Sequence, residues 1–230
     1  MRVLLHACCA PCASTAVERL LGVGHAVTLF FSNHNIDTPA EHALRLLHVE
    51  RLAAHFNAPL LVDAPDRDTW RAAVAGHENV PERGSRCALC FRYSLSRACG
   101  QMRQAGFDAF TTSLTTSPHK SSPVIFAIGR ELAEDRFLAM DFKKDDGFGR
   151  ARVLSSALGL YRQNYCGCSF SRSRTDQTPL SNSNFGDGTI GVGVGIGIGI
   201  GIGIGIDKTN GNSTPIPMPT PTPIPQSPHN

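Results

Sequence analysis

The 230-residue chain has no run of about 18 continuous apolar residues, so it offers no membrane-spanning helix. It shows no secretory signal: "MRVLLHACC" has one arginine and a short apolar run that passes straight into cysteines, and it reads as a first strand. Charge is also scarce. Charged residues make up 18% of the chain and the formal net charge is only +3, which permits nucleic-acid contact without arguing strongly for it. Residues 181–230 carry a net −1, so the part before them carries +4. These absences leave a folded globule with no membrane partner, and a cytoplasmic, reducing setting is the expectation. There, eight cysteines read as metal ligands or redox thiols rather than structural disulfides.

What is present begins with alternation. Strand-like runs at 2–7, 26–32, 59–63, 107–114 and 136–141 are separated by helix-like runs at 11–22, 37–56, 66–76, 87–104, 122–135 and 148–159. Pro11 suits the start of the first helix, and Gly22 or Gly24 its end. Thr38 and Glu41 form a candidate capping box, with Pro39 at the first helical position. The pattern predicts an α/β fold: a five-stranded parallel sheet covered by helices on both faces, a three-layer sandwich. In such sheets ligands bind beyond the carboxyl ends of the strands. From about residue 176 the composition changes. A Gly-Ile/Val repeat (188–206) and a proline-rich stretch (213–228) predict a disordered, low-complexity tail behind a domain of residues 1–175.

The cysteines fall into motifs. Cys8, Cys9 and Cys12 follow the first strand in "LLHACCAPC", Cys87 and Cys90 form a CxxC in "RCALC", and Cys166 and Cys168 form a Cys-Gly-Cys in "NYCGCSF". Cys99 stands alone and reads as a small core side chain. The adjacent pair and the CxxC together offer four thiolates, enough for an all-thiolate zinc site or an iron–sulfur cluster. The surplus thiols exceed what one zinc needs and favour redox work. A disulfide between Cys166 and Cys168 would close a small, strained, reducible ring; ligation of a metal by both is the other reading.

"LLHACCAPC", "RCALCFRYSLSRAC", "GFDAFTTSLTTSPHK" and "DFKKDDGFGRARVLSSALGLYRQNYCGCSFS", in that order over about residues 1–171, resemble the epoxyqueuosine reductase QueH family. The resemblance implies two-electron deoxygenation of epoxyqueuosine to queuosine at the wobble position of tRNA, the last step of queuosine biosynthesis. It implies a 4Fe-4S cluster on Cys8, Cys9, Cys87 and Cys90, a redox-active disulfide between Cys166 and Cys168, and an additional iron near Cys12. It also implies tRNA as partner, an electron donor, and no cobalamin. One departure is His34 in "FSNHNI", where the family tends to have proline. The fold is similar to the nucleotide-binding α/β proteins (HUP/PP-loop type) that include tRNA-modifying ATP pyrophosphatases. Here thiols replace their glycine- and serine-rich phosphate loop, so no use of ATP is expected.

Around this core, Asp141, His6, Tyr161 and Tyr165 are candidate proton donors, Asp141 because it closes a predicted strand. Lys120, Lys143, Lys144, Arg150, Arg152 and Arg162 are candidate phosphate contacts, as are Arg86 and Arg92. Tyr161 or Phe148 is a candidate stacking partner for a splayed anticodon base. The alternative from another class is a zinc-stabilised RNA-binding module without redox catalysis, against which Cys166 and Cys168 argue.

Overall fold

The computed structural model describes residues 1–171; the Gly-Ile and Pro-rich tail and the boundary at 175 lie outside the described residues. Four strands form one all-parallel sheet: β1 (Arg2–His6), β2 (Ala26–Phe31), β3 (Leu60–Val62) and β4 (Ala109–Thr112), in the order β3-β2-β1-β4. The helices are α1 (Ala10–Gly22), α2 (Pro39–His55), α3 (Arg67–Ala73), α4 (Ser85–Gln104), α5 (Ser122–Ala133) and α6 (Gly147–Ala157). Among the described residues no helix is long and apolar enough to cross a membrane.

The two-residue period of β1 divides the core. Val3 and Leu5 pack with Val17 and Leu20 of α1 and Val49 and Leu52 of α2. Leu4 points the other way, to Leu95 and Met102 of α4 and Ile125 and Ile128 of α5. A central strand buried on both faces has no polar position to spare, which is why "VLL" is unbroken. Each such leucine contributes roughly 1.5–3 kcal/mol of burial.

The predicted fifth strand does not form. Residues 136–141 make one isolated parallel bridge, Phe110 to Phe137, and no further ladder. Side-chain hydroxyls take the carbonyls that a ladder would use: Thr111 Oγ1 donates to the Leu138 oxygen and Thr115 Oγ1 to that of Met140, both at 2.8 Å. Gly129 of α5 leaves room for the Phe137 ring, which would stand 2.4 Å from any Cβ there. The capping box is half made. Thr38 accepts from the Glu41 amide at 3.2 Å, but the Glu41 carboxylate turns to Arg45 and Tyr161.

Beyond the carboxyl ends of β2 and β3, Asp63 gathers three partners. Its carboxylate accepts from Ser32 Oγ (2.8 Å), His34 Nε2 (2.9 Å) and Arg97 (2.9 and 2.7 Å). With its proton on Nε2, His34 uses Nδ1 to accept from the Asp66 amide at 2.9 Å. The histidine that departs from the resemblance therefore joins two loops. Burial opposes the charge on Asp63, but Arg97, His34 and Ser32 outweigh it and hold its pKa at about 2. A depressed carboxylate pKa stabilises the fold above the unfolded value and ceases to do so as pH falls from 3.8 through about 2. Asp63→Asn is expected to lower unfolding free energy at neutral pH by roughly 1.5–3 kcal/mol. Urea titrations from pH 7 down to about 2 check this: the gap to wild type narrows below pH 3.8 and closes as pH approaches about 2, and a pH-independent gap refutes the assignment.

Candidate functional site

β1 lies between β2 and β4, and the chain leaves it in one direction for β2 and returns on the other side as β4. The crevice beyond the carboxyl ends of β1 and β4 is thus the topological switch point, where ligands bind in open parallel sheets. The chain fills it with sulfur. Cys9 is the N-cap of α1, extended, with no capping bond from its side chain, so the thiol remains available. The sulfurs of Cys8, Cys9 and Cys12 all lie within 4.8 Å of one another, and those of Cys8 and Cys9 are 3.9 Å apart. A turn after β4 pins this loop: the Cys8 amide donates to Ser113 Oγ at 3.0 Å, and Thr116 Oγ1 donates to the Cys12 carbonyl at 2.9 Å.

Cys87 and Cys90 sit in the first turns of α4 and are not in that compact trio. Cys90 lines a small cavity with Cys8, Cys166, His6 and Lys120, and Trp70 Nε1 donates to its sulfur at 3.3 Å. Cys87 lines an adjoining cavity, again with Cys166 and Lys120. Cys12, Cys166 and Lys120 line an outer cleft of about 390 Å3 with Phe148, Arg162, Gln163 and Tyr165. Six thiols from three distant segments thus converge. Cys168 lines none of these spaces and is buried against Trp70 and Val74. Cys99 is remote, its sulfur 3.5 Å from the Leu132 carbonyl, as a core side chain.

Electrostatics separates the thiols. Hydrogen bonds from Cys12 and Cys9 hold the Cys8 pKa well below the usual thiol value, against burial and with help from Lys120 and Ser113. Cys12 is driven well above it by Cys8 and Cys9 and by burial. Cys9 gains from Cys12, but Cys8 and burial outweigh this and push it to about 11. Burial, then Cys166, pushes Cys90 to about 12 against the Trp70 bond. The trio is thus asymmetric, with Cys8 set apart from Cys9 and Cys12; ligation of a metal by all three would require their protons to leave. The N-terminal ends of α1 and α4 both favour negative sulfur.

Lys120 belongs inside this site. Burial opposes its charge, yet Cys166, Cys8, Cys12 and Cys9 raise its pKa above the ordinary lysine value. Lys143 fixes its backbone: Nζ donates to the Lys120 carbonyl at 2.9 Å and to Ser122 Oγ at 2.7 Å. Of the other basic candidates, Lys144 and Arg152 are exposed, Arg162 lies over the Phe148 ring at 5.9 Å, and Arg150 pairs with Glu18 at 2.9 Å. Arg86 is buried, donating to backbone carbonyls of Glu78 and Val80, and Arg92 is paired bidentately with Glu131, so neither presents a free charge to phosphate. Asp141 lines none of the thiol cavities and lies 3.8 Å from Lys143 Nζ. His6 sits at the inner cavity, but its ring bridges Thr112 Oγ1 (2.9 Å) and the Ser32 carbonyl (3.1 Å), and burial keeps it neutral. Tyr161 donates to Glu41 and Tyr165 to Asp37.

Two participants escape sequence reading. Trp70 reaches Cys90 from another helix. Arg45, buried in α2, grips the carbonyls of Tyr165 and Cys166. Its only local signal is the Glu41–Arg45 spacing of one helical turn, which on an exposed face would be unremarked.

The family model described as "Epoxyqueuosine reductase QueH" matches residues 3–174. The chain is 34% identical over 179 residues to the epoxyqueuosine reductase QueH of Streptococcus pyogenes serotype M1, covering 74% of this chain and 69% of that one. It is 33% identical over 184 residues to that of Acinetobacter baylyi, covering 78% and 84%. The Thermotoga maritima protein of the same name is 33% identical over 175 residues, covering 74% and 89%. By its matched length, and by the thiols that the fold gathers at its switch point, the chain belongs to the epoxyqueuosine reductase QueH family of oxidoreductases.

Proposed function

We propose that this chain reduces epoxyqueuosine to queuosine at the tRNA wobble position. The observation that carries the reading is that Cys8, Cys12, Cys87, Cys90 and Cys166 line three cavities that share Cys166 and Lys120, with Cys9 within 4.8 Å of Cys8 and Cys12. We read the 3-2-1-4 sheet as the HUP/PP-loop nucleotide-binding topology with cysteines in place of the phosphate loop, and the reading uses neither ATP nor cobalamin.

Cys8, Cys9, Cys87 and Cys90 would hold a 4Fe-4S cluster, and Cys12 an additional iron. The donor set fits this chemistry: all are thiols, and Cys90 lines one cavity with Cys8. Such groups, when bound, supply single-electron transfer and Lewis-acid polarisation of the epoxide oxygen. The chain's residues supply the rest. Oxidation of the Cys166 and Cys168 thiols to a disulfide releases two electrons and two protons, which balance loss of the epoxide oxygen as water. The Lys120 ammonium, which lines both the outer cleft and the inner cavity, offsets the charge that develops on that oxygen. In the outer cleft Phe148 offers a stacking face and Arg162 meets phosphate, while Lys144 and Arg152, exposed outside the cleft lining, add basic surface for the rest of the RNA.

One observation favours a second reading, a single zinc in an RNA-binding module. Zinc–sulfur bonds of about 2.3 Å in a tetrahedron put sulfurs about 3.8 Å apart, and Cys8 and Cys9 are separated by 3.9 Å.

Anaerobic purification with iron, acid-labile sulfide and zinc analysis separates the two. A brown protein with iron and sulfide in near-equal amounts, bleached by dithionite, is expected. A colourless protein with stoichiometric zinc and no sulfide after reconstitution refutes the reductase reading. Cys90→Ser is expected to lose iron and colour, whereas Cys166→Ser keeps both while turnover of epoxyqueuosine tRNA falls by roughly two orders of magnitude or more. Wild-type turnover in Cys166→Ser removes the redox pair from the mechanism.

A further inference from the structure

The Cys-Gly-Cys segment is gripped from behind by a residue that lines none of the thiol cavities. Arg45 is buried on α2 at 3% exposure. Its Nε donates to Glu41 Oε1 at 2.6 Å, its Nη1 to the Cys166 carbonyl at 2.9 Å and its Nη2 to the Tyr165 carbonyl at 3.3 Å. The guanidinium also lies over the Tyr165 ring, 5.3 Å from its centroid.

The same small region closes the remaining contacts. Glu41 Oε2 accepts from the Tyr161 hydroxyl at 3.0 Å, and Tyr165 donates to Asp37 Oδ1 at 3.0 Å. The Asp37 amide donates to the Gly167 carbonyl at 2.9 Å. Three successive carbonyls, 165 to 167, are thereby committed to α2 and the loop before it. Gly167 makes this approach possible. Its φ is +125°, and a Cβ there would stand 3.2 Å from both Arg45 Nη1 and Asn35 Nδ2.

The grip has a directional result. Cys166 lines all three thiol cavities, beside Cys8 and Cys90 in one, Cys87 in the next and Cys12 in the outer cleft. Cys168, two residues later, packs instead against Trp70 and Val74 at 8% exposure. With the backbone between them pinned, the two sulfurs cannot exchange places by a simple rotation of the loop.

We propose that Arg45 is a positioning residue that fixes Cys166 as the sulfur facing the substrate cleft and Cys168 as its inner partner. The proposal rests on the redox-pair reading above. In that reaction the Cys166–Cys168 S–S bond forms and two S–H bonds break. Two electrons and two protons pass to the epoxide, whose oxygen leaves as water. Arginine suits the task because its planar fork serves two carbonyls and a carboxylate at once, whereas lysine is a point charge.

The test uses the full-length, iron-loaded protein with the Cys-Gly-Cys pair reduced. Limited iodoacetamide labelling is read by peptide mass spectrometry, and the thiol–disulfide equilibrium is titrated against glutathione. Wild type should label Cys166 about tenfold faster than Cys168, in keeping with their difference in access. In Arg45→Met that preference is expected to vanish, and the disulfide equilibrium constant to shift by about tenfold, about 30 mV for two electrons. Arg45→Lys should recover part of both. Circular dichroism and iron content report folding; should the methionine variant not fold, the lysine variant, which keeps a charge beside Glu41, carries the test. Folded variants with wild-type labelling preference and an unchanged equilibrium overturn the proposal. If wild type forms no Cys166–Cys168 disulfide at any glutathione ratio, the redox-pair reading falls, while the labelling preference still decides whether Arg45 places Cys166.

Discussion

Sulfur ligands gathered in a protein interior set a conflict between burial and charge. Neighbouring thiols and then burial drive Cys9 and Cys12 toward their neutral forms, and burial does the same to Cys90, yet binding a metal requires thiolates. The fold meets this with positive potential from three directions: the N-terminal ends of α1 and α4 and the ammonium of Lys120. Much of the surrounding structure keeps those groups in place. Ser113 and Thr116 hold the loop of Cys8 and Cys12, Lys143 holds the backbone of Lys120, and Arg45 holds that of Cys166. Each tether is a short hydrogen bond from a side chain to backbone, or from backbone to a side chain. The site is thus assembled largely by fixing the main chain, with a few donors, such as Trp70 at Cys90 and Ser113 at Cys8, reaching the sulfurs themselves.

Those parts of the fold that depend on apolar periodicity were legible in the residues. "RVLLHA", "AVTLFF" and the helices that flank them lie close to where their patterns placed them. The stretch "RFLAMD" reads equally well as a strand, but hydroxyls from Thr111 and Thr115 compete for its carbonyls, and no local pattern reveals partners so distant in sequence. Spacing singled out the cysteine motifs, but it could not separate Cys166, which lines the thiol cavities, from Cys168, which packs against Trp70 and Val74. The closeness of Cys12 to the first two follows from its place in the first turn of α1.

Charged residues were the least legible. By type alone, Lys120, Arg86 and Arg150 all look like phosphate contacts. In the fold one faces thiols, one is buried among carbonyls and one is neutralised by Glu18. Arg45 was invisible for the converse reason: an arginine in the middle of a helix is usually solvated, and only the return of residues 165–167 gives it something to hold. His34 belongs with these. In sequence it is only a departure from the resemblance, yet its ring spends both nitrogens joining the loops that follow β2 and β3.

The bond between the Cys8 amide and Ser113 spans 105 residues of chain. The strand that carries Cys8 is interior to the sheet, and its second neighbour, β4, is among the last strands to be made. Ribosomal synthesis therefore delivers Cys8, Cys9 and Cys12 long before the wall against which they rest. Until β4 docks, these thiols are unshielded, and the long loop that must close makes the final sheet pairing slow relative to local helix formation. The order of synthesis and the order of assembly are therefore opposed at this site: the first thiols to be made are among the last to be enclosed.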